Sequence, residues 1–168
     1  MRTNVEGVYA IGDITGRYQL AHVASHQGIV AAANATGENK VMDYRAVPSC
    51  IFTSPEVAYV GLTEKEAREI YGDGIKIGRF PFIASGRALT LGETEGFVKI
   101  IADFKWNEIL GVHIIGQGAT ELIAEAVLAI KLECTAEELA DTIHAHPTLS
   151  ETVMEASFDL LGMPIHKM

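Results

Sequence analysis

The sequence predicts an α+β fold, a mostly antiparallel sheet with helices packed on one side, preceded by a separate strand–helix pair. Three observations carry this. The segments GFVKIIAD (96–103) and ILGVHII (109–115) are apolar-rich and separated by a short loop holding Lys105, Trp106 and Asn107, the pattern of a hairpin. Three helical stretches follow in succession, at 119–132, 135–143 and 149–161. Strands grouped ahead of helices place the helices on one face of a sheet. Far upstream, an Ala-rich stretch at 20–36 stops at Gly37 and has no apolar partner segment of its own.

Taken in order, 8–11 is a short apolar run ending at Gly12–Asp13, a strand-then-turn signal. Residues 20–36, with Val23, Ile29 and Val30, predict a buried helix closed by a glycine. A strand–helix pair of this kind belongs to a larger sheet, so 1–40 looks like the end of another domain. A polar linker, 37–44, leads into a second domain over 45–168. Extended segments are expected at 46–53 and 57–60, around Pro48 and Pro55. Thr63 followed by Glu66 is a capping box that opens a helix to about Tyr71. Residues 75–82 predict a strand, and 84–91 leaves helix and strand both open.

Composition narrows the function classes. Of 168 residues, 48% are hydrophobic and 21% charged, the balance of a globular domain rather than a disordered chain. The net charge is −9 with no Lys/Arg cluster, which argues against a nucleic-acid surface. No apolar run reaches membrane-spanning length and the start lacks a signal-peptide pattern, so a cytoplasmic protein without membrane contact is expected. Cys50 and Cys134 form neither CxxC nor CxxxxC spacing and are expected to be small buried apolar side chains.

The chemistry concentrates in HAHPTLSE, 144–151. A histidine moves protons near neutral pH, and a carboxylate within reach can orient its ring and stabilise its cation. His146 and Glu151 have that relationship, and Pro147 keeps the backbone of His146 off a helix. Thr148–Leu149–Ser150–Glu151 is also a capping box, in which Glu151 serves the helix that follows. Both readings stand, since a carboxylate has two oxygens. His144 lacks a carboxylate in the matching frame and is expected to be structural, fixing the loop. His113 sits mid-strand as a satisfied core or interface residue, and His166 is expected to be solvated. His22 and His26 are four apart on a helix, but no third ligand is in view, so no metal site is expected.

HPTLSE resembles the active-site signature of the dihydrolipoamide dehydrogenase family of flavin disulfide oxidoreductases, and it lies near the C-terminus as it does there. The stretch TNVEGVYAIGD (3–13), in which a glycine turn precedes an acid, resembles that family's second flavin-binding motif, and QLAH (19–22) strengthens the likeness. Taken alone, Gly12–Asp13 reads as a simple turn. AVPSCIFTSPEVAYVGLTE (46–64) and GVHIIGQGATELIAE (111–125) are similar to the first strand and the central strand-to-helix passage of the family's interface domain.

The resemblance implies the fold of that interface, or dimerisation, domain behind a remnant of the FAD-binding domain. It implies His146 and Glu151 as the catalytic acid–base pair, with the histidine reaching the redox disulfide of the other subunit of a homodimer. Gly12, Asp13, Gln19, Leu20, Ala21 and His22 are implied as flavin-binding, with Asp13 on the ribitol. FAD is the implied cofactor and NAD the co-substrate. The implied substrate is dihydrolipoamide on an acyltransferase or a glycine-cleavage carrier protein. The family's GxGxxG element, its CxxxxC disulfide and its nicotinamide domain are not in the sequence, so the chain reads as a C-terminal part with no turnover and little flavin affinity by itself. The competing expectations are a non-catalytic dimerisation or docking module for the acyltransferase's peripheral binding domain, and a part of a glutathione-type reductase.

Overall fold

The computed structural model describes residues 1–167. The chain forms two compact units, Met1–Tyr44 and Arg45–Met168.

In the second unit five strands make one antiparallel sheet. They are β1 (Ser49–Ile51), β2 (Val57–Gly61), β3 (Ile75–Pro81), β4 (Phe97–Asp103) and β5 (Ile109–Ile115). Their order is β1-β2-β5-β4-β3, so the hairpin expected from 96–115 is the centre of the sheet. Alternation sorts the two faces. Val98, Ile100 and Ala102 of β4 and Val112 and Ile114 of β5 are fully buried in one core. That core is closed by α4 (Ala119–Lys131), across β2 and β5, and by α6 (Glu151–Leu160), across β3 and β4. A short helix, α5 (Ala136–Asp141), packs against α6.

Gly78 on β3 lets α6 approach the sheet. A Cβ there would lie 2.1 Å from the carbonyl oxygen of Ala156 and 2.7 Å from Cβ of Leu160. The opposite face carries a register row of Tyr59, His113, Lys99 and Arg79. Glu64 of α2 (Glu64–Tyr71) reaches Lys99 at 3.5 Å and Arg79 at 3.4 Å from that side. The expected capping box is formed in full: Thr63 Oγ1 accepts from the Glu66 N–H and the Glu66 carboxylate accepts from the Thr63 N–H.

Residues 84–91 resolve as helix. After a 3₁₀ turn at Phe82–Ala84, the Ser85 hydroxyl caps α3 (Gly86–Leu91) by accepting from the Ala88 N–H. The two helices expected at 135–143 and 149–161 are shorter, because Thr142 leaves helical geometry and 142–150 is a loop.

In the first unit the expected strand at 8–11 is a single bridge between Arg2 and Tyr9. A ladder needs a neighbouring strand, and residues 1–44 contain none. The helix forms as α1 (Ala21–Ala35), but only Val23, Gln27, Ala33 and Asn34 are buried, and Ile29 is exposed. Its end is closed as expected: Gly37 has a positive φ and the Glu38 N–H bonds back to the Ala33 carbonyl.

Candidate active site

The loop 142–150 delivers His146 to the start of α6. Nδ1 of His146 lies 2.8 Å from Oε1 of Glu151, the first residue of that helix. Oε2 of the same carboxylate accepts the Thr148 N–H at 2.8 Å. One oxygen of Glu151 thus faces the His146 ring and the other the backbone at the head of α6. The Thr148 hydroxyl does not complete the box. It donates to the Ala145 carbonyl at 2.7 Å, tying the residue before His146. Burial disfavours the charge on Glu151, but the Thr148 N–H and the His146 ring outweigh it and hold the carboxyl below its ordinary range.

A carboxylate only accepts, so the hydrogen in this contact belongs to Nδ1, which leaves Nε2 as the open nitrogen. The His146 side chain is 79% exposed. Chemically this is a base with a fixed tautomer and an accessible lone pair. It borders a cleft of about 290 Å³ whose lining includes Phe80, Leu89, Glu151, Glu155 and His166.

The other histidines are held in place, as expected for structural roles. His144 meets a carboxylate from outside the five-residue frame: Nε2 lies 2.7 Å from Oε1 of Glu125 on α4. The His166 side chain is largely solvated, as expected, and its Nδ1 also sits 2.5 Å from Oε1 of the buried Glu155. Both partners lie more than one helical turn away in sequence, beyond the reach of a spacing argument. His113 is half-buried, bonds the Leu62 carbonyl through Nε2 and stacks on Tyr59. Its burial pushes its pKa down. Cys50 and Cys134 are free thiols, both partly buried, and burial raises the pKa of Cys50.

In the first unit, Gly12 and Asp13 open a 3₁₀ turn that packs beside α1. Gly12 has φ +75 and lies against Ala24, and its N–H donates to Oε1 of Gln27 at 2.6 Å. Gln27, fully buried, in turn donates to the Tyr44 hydroxyl. Asp13, Gln19, Ala21 and His22 are exposed and Leu20 is half-buried at the start of α1. The arrangement places an exposed carboxylate and the positive end of a helix within one unit, a set that fits the polar edge of a flavin. Gln27, which fixes the turn from fifteen residues away, was not visible as a site residue in the sequence.

A family model described as the pyridine nucleotide-disulphide oxidoreductase dimerisation domain matches residues 47–157. The chain belongs to this family. Its curated relatives include the dihydrolipoyl dehydrogenases of Chlamydia muridarum, 52% identical over 99% of this chain and 36% of that protein, and of Bacillus subtilis, 52% identical over 98% and 35%. The chain thus spans about 36% of the length of such a relative. Among solved structures, LpdA from Mycobacterium tuberculosis superposes with a TM-score of 0.86 at 33% identity, covering 93% of this chain and 34% of that one. The HOCl-induced flavoprotein disulfide reductase RclA from Escherichia coli gives 0.80 at 30% identity, covering 86% and 34%. Family membership agrees with the observed sheet, which is the dimerisation fold of flavin disulfide reductases.

Proposed function

We propose that this chain supplies the acid–base pair and the dimer surface of a flavin-dependent dihydrolipoamide:NAD⁺ oxidoreductase. The observation that carries the reading is the 2.8 Å contact between Nδ1 of His146 and Oε1 of Glu151, with the other face of the ring open. The identity to dihydrolipoyl dehydrogenases across nearly the whole chain supports the substrate class.

Dihydrolipoamide reacts through a thiolate. Nε2 of His146 takes the thiol proton, and Glu151 stabilises the imidazolium that results. The thiolate attacks one sulfur of a redox disulfide, the S–S bond breaks, and the other sulfur leaves as a thiolate. In the second displacement the other lipoyl thiol gives its proton to solvent and attacks the substrate sulfur of the mixed disulfide; that S–S bond breaks, the lipoyl disulfide closes, and the redox pair is left reduced by two electrons. Cys50 and Cys134 are separate free thiols and are not that disulfide. The histidine therefore serves a disulfide on another polypeptide segment, which a homodimer provides from its second subunit. A bound FAD would supply the two-electron chemistry that links the reduced pair to NAD⁺. Asp13 and the start of α1 would hold it: the carboxylate would accept from ribitol hydroxyls, and the positive end of the helix dipole would favour negative charge on the ring.

The test mixes the purified chain with a polypeptide bearing the family's flavin, disulfide and nicotinamide regions. Lipoamide-dependent NADH formation should appear with the wild-type chain and vanish with His146→Gln. Equal rescue by both chains overturns the proposal. Binding to an acyltransferase's peripheral domain with no NADH formation would favour a docking module instead.

A further inference from the structure

Two residues before His146, a second histidine is held in a different manner. The His144 side chain is 5% exposed, against 79% for His146. Both of its ring nitrogens face oxygen: Nδ1 is 2.8 Å from the Thr142 carbonyl and Nε2 is 2.7 Å from Oε1 of Glu125. A carbonyl only accepts, so Nδ1 carries a hydrogen. The second contact needs a hydrogen as well, because two lone pairs at that distance repel. A carboxylate only accepts, so that hydrogen lies on Nε2 and both ring nitrogens of His144 donate.

We infer that His144 and Glu125 form a proton-holding pair that positions His146, clamping the catalytic loop to α4 just as Glu151 clamps it to α6. The connections run through a short path. Glu125 and the Thr142 carbonyl fix the ring of His144. Ala145, the one residue between the histidines, has its carbonyl held by Thr148 Oγ1, and the Thr148 N–H goes to Glu151. Glu125 is the charged group that α4 brings to the His144 ring. From α6 the acid at the loop is Glu151, whose two oxygens are already committed to His146 and Thr148. A loop anchored at one end only could rotate the His146 ring away from Glu151, so the first pair keeps the second aligned. His144 touches no reacting group in this arrangement and is a positioning residue. Its bearing on proton transfer rests on the acid–base reading of His146, whereas its proton count does not.

The experiment is long-range ¹H–¹⁵N NMR on the imidazoles of the full chain. Both nitrogens of His144 should donate in the wild type, to the Thr142 carbonyl and to Glu125, and only one in Glu125→Gln. In mildly alkaline solution the neutral His146 ring should sit mainly as the Nδ1–H tautomer, and the Nδ1–H to Nε2–H ratio should fall about tenfold in Glu125→Gln as the alignment with Glu151 is lost. His144→Gln should lower the ratio in the same way, which covers the case where Glu125→Gln fails to fold. A single ring hydrogen on wild-type His144, or an unchanged His146 tautomer ratio in a folded variant, overturns the inference. Turnover lost or kept in His146→Gln decides the proposed function and leaves the His144 spectrum as it was.

Discussion

Glu155 is buried on α6, and its carboxylate receives Nδ1 of His166 at 2.5 Å together with the backbone N–H groups of Ile165 and His166. Among the described residues, its hydrogen bonds come from the C-terminal tail. A buried charge without such partners is costly, so the tail is part of the fold rather than an appendage.

Cutting the chain after Met163 should therefore cost about 1–3 kcal/mol of stability, from the unpaired carboxylate left behind. Adding Glu155→Met to the shortened chain should recover most of it, since the charge is then gone. Urea unfolding of the four chains in a double-mutant cycle measures this, and additive effects would contradict it.

His146→Gln and Glu151→Ala should separate chemistry from folding. The His146 ring is mostly exposed, so replacing it should change stability by no more than about 0.5 kcal/mol. It should still lower reconstituted lipoamide turnover about 10²–10⁴-fold. Glu151→Ala should lower turnover too, and also cost about 1 kcal/mol, because Oε2 satisfies the Thr148 N–H at the head of α6. Thermal melts beside steady-state kinetics check the split.

Stability should fall in two steps on acidification. His113 has an ordinary value of 6.5 that burial lowers in the fold, so the unfolded chain takes up its proton first. Its contribution is complete above about pH 6.5 and is lost as pH drops toward the folded value. Glu66, Glu138 and Glu151 have an ordinary value of 4.5 and are held lower. The Thr63 backbone N–H acts on Glu66 and the Thr135 hydroxyl on Glu138, while at Glu151 bonds from Thr148 and His146 overcome burial. Their contribution is present above about pH 4.5 and is lost below it. Urea midpoints measured against pH should show both steps, and His113→Gln should remove the upper one alone.

Gly78→Ala should destabilise by about 1–3 kcal/mol or more, since the added Cβ meets the backbone of α6 at Ala156. Because α6 begins at Glu151, the same change should weaken the His146–Glu151 contact, visible as a shifted His146 ring resonance. A stable variant with an unshifted ring would show that α6 can move as a rigid unit.

What was legible in the sequence is what short-range hydrogen bonding and periodicity determine. The central hairpin follows from apolar runs at 96–103 and 109–115, the cap of α2 from Thr63 and Glu66, and the nearness of Glu151 to His146 from the resemblance of HPTLSE to a family signature, with spacing that permits it. Each of these involves neighbours along the chain, whose separation limits where their atoms can meet. Only the tertiary structure decided that Glu125 meets His144 across 19 positions, that Gln27 holds the Gly12 turn across 15, and that Glu155 captures the tail. It also decided that 8–11 stays a lone bridge. Sheet register and helix packing set those meetings, and a strand exists only where a neighbour accepts its hydrogen bonds, so no local pattern could announce them.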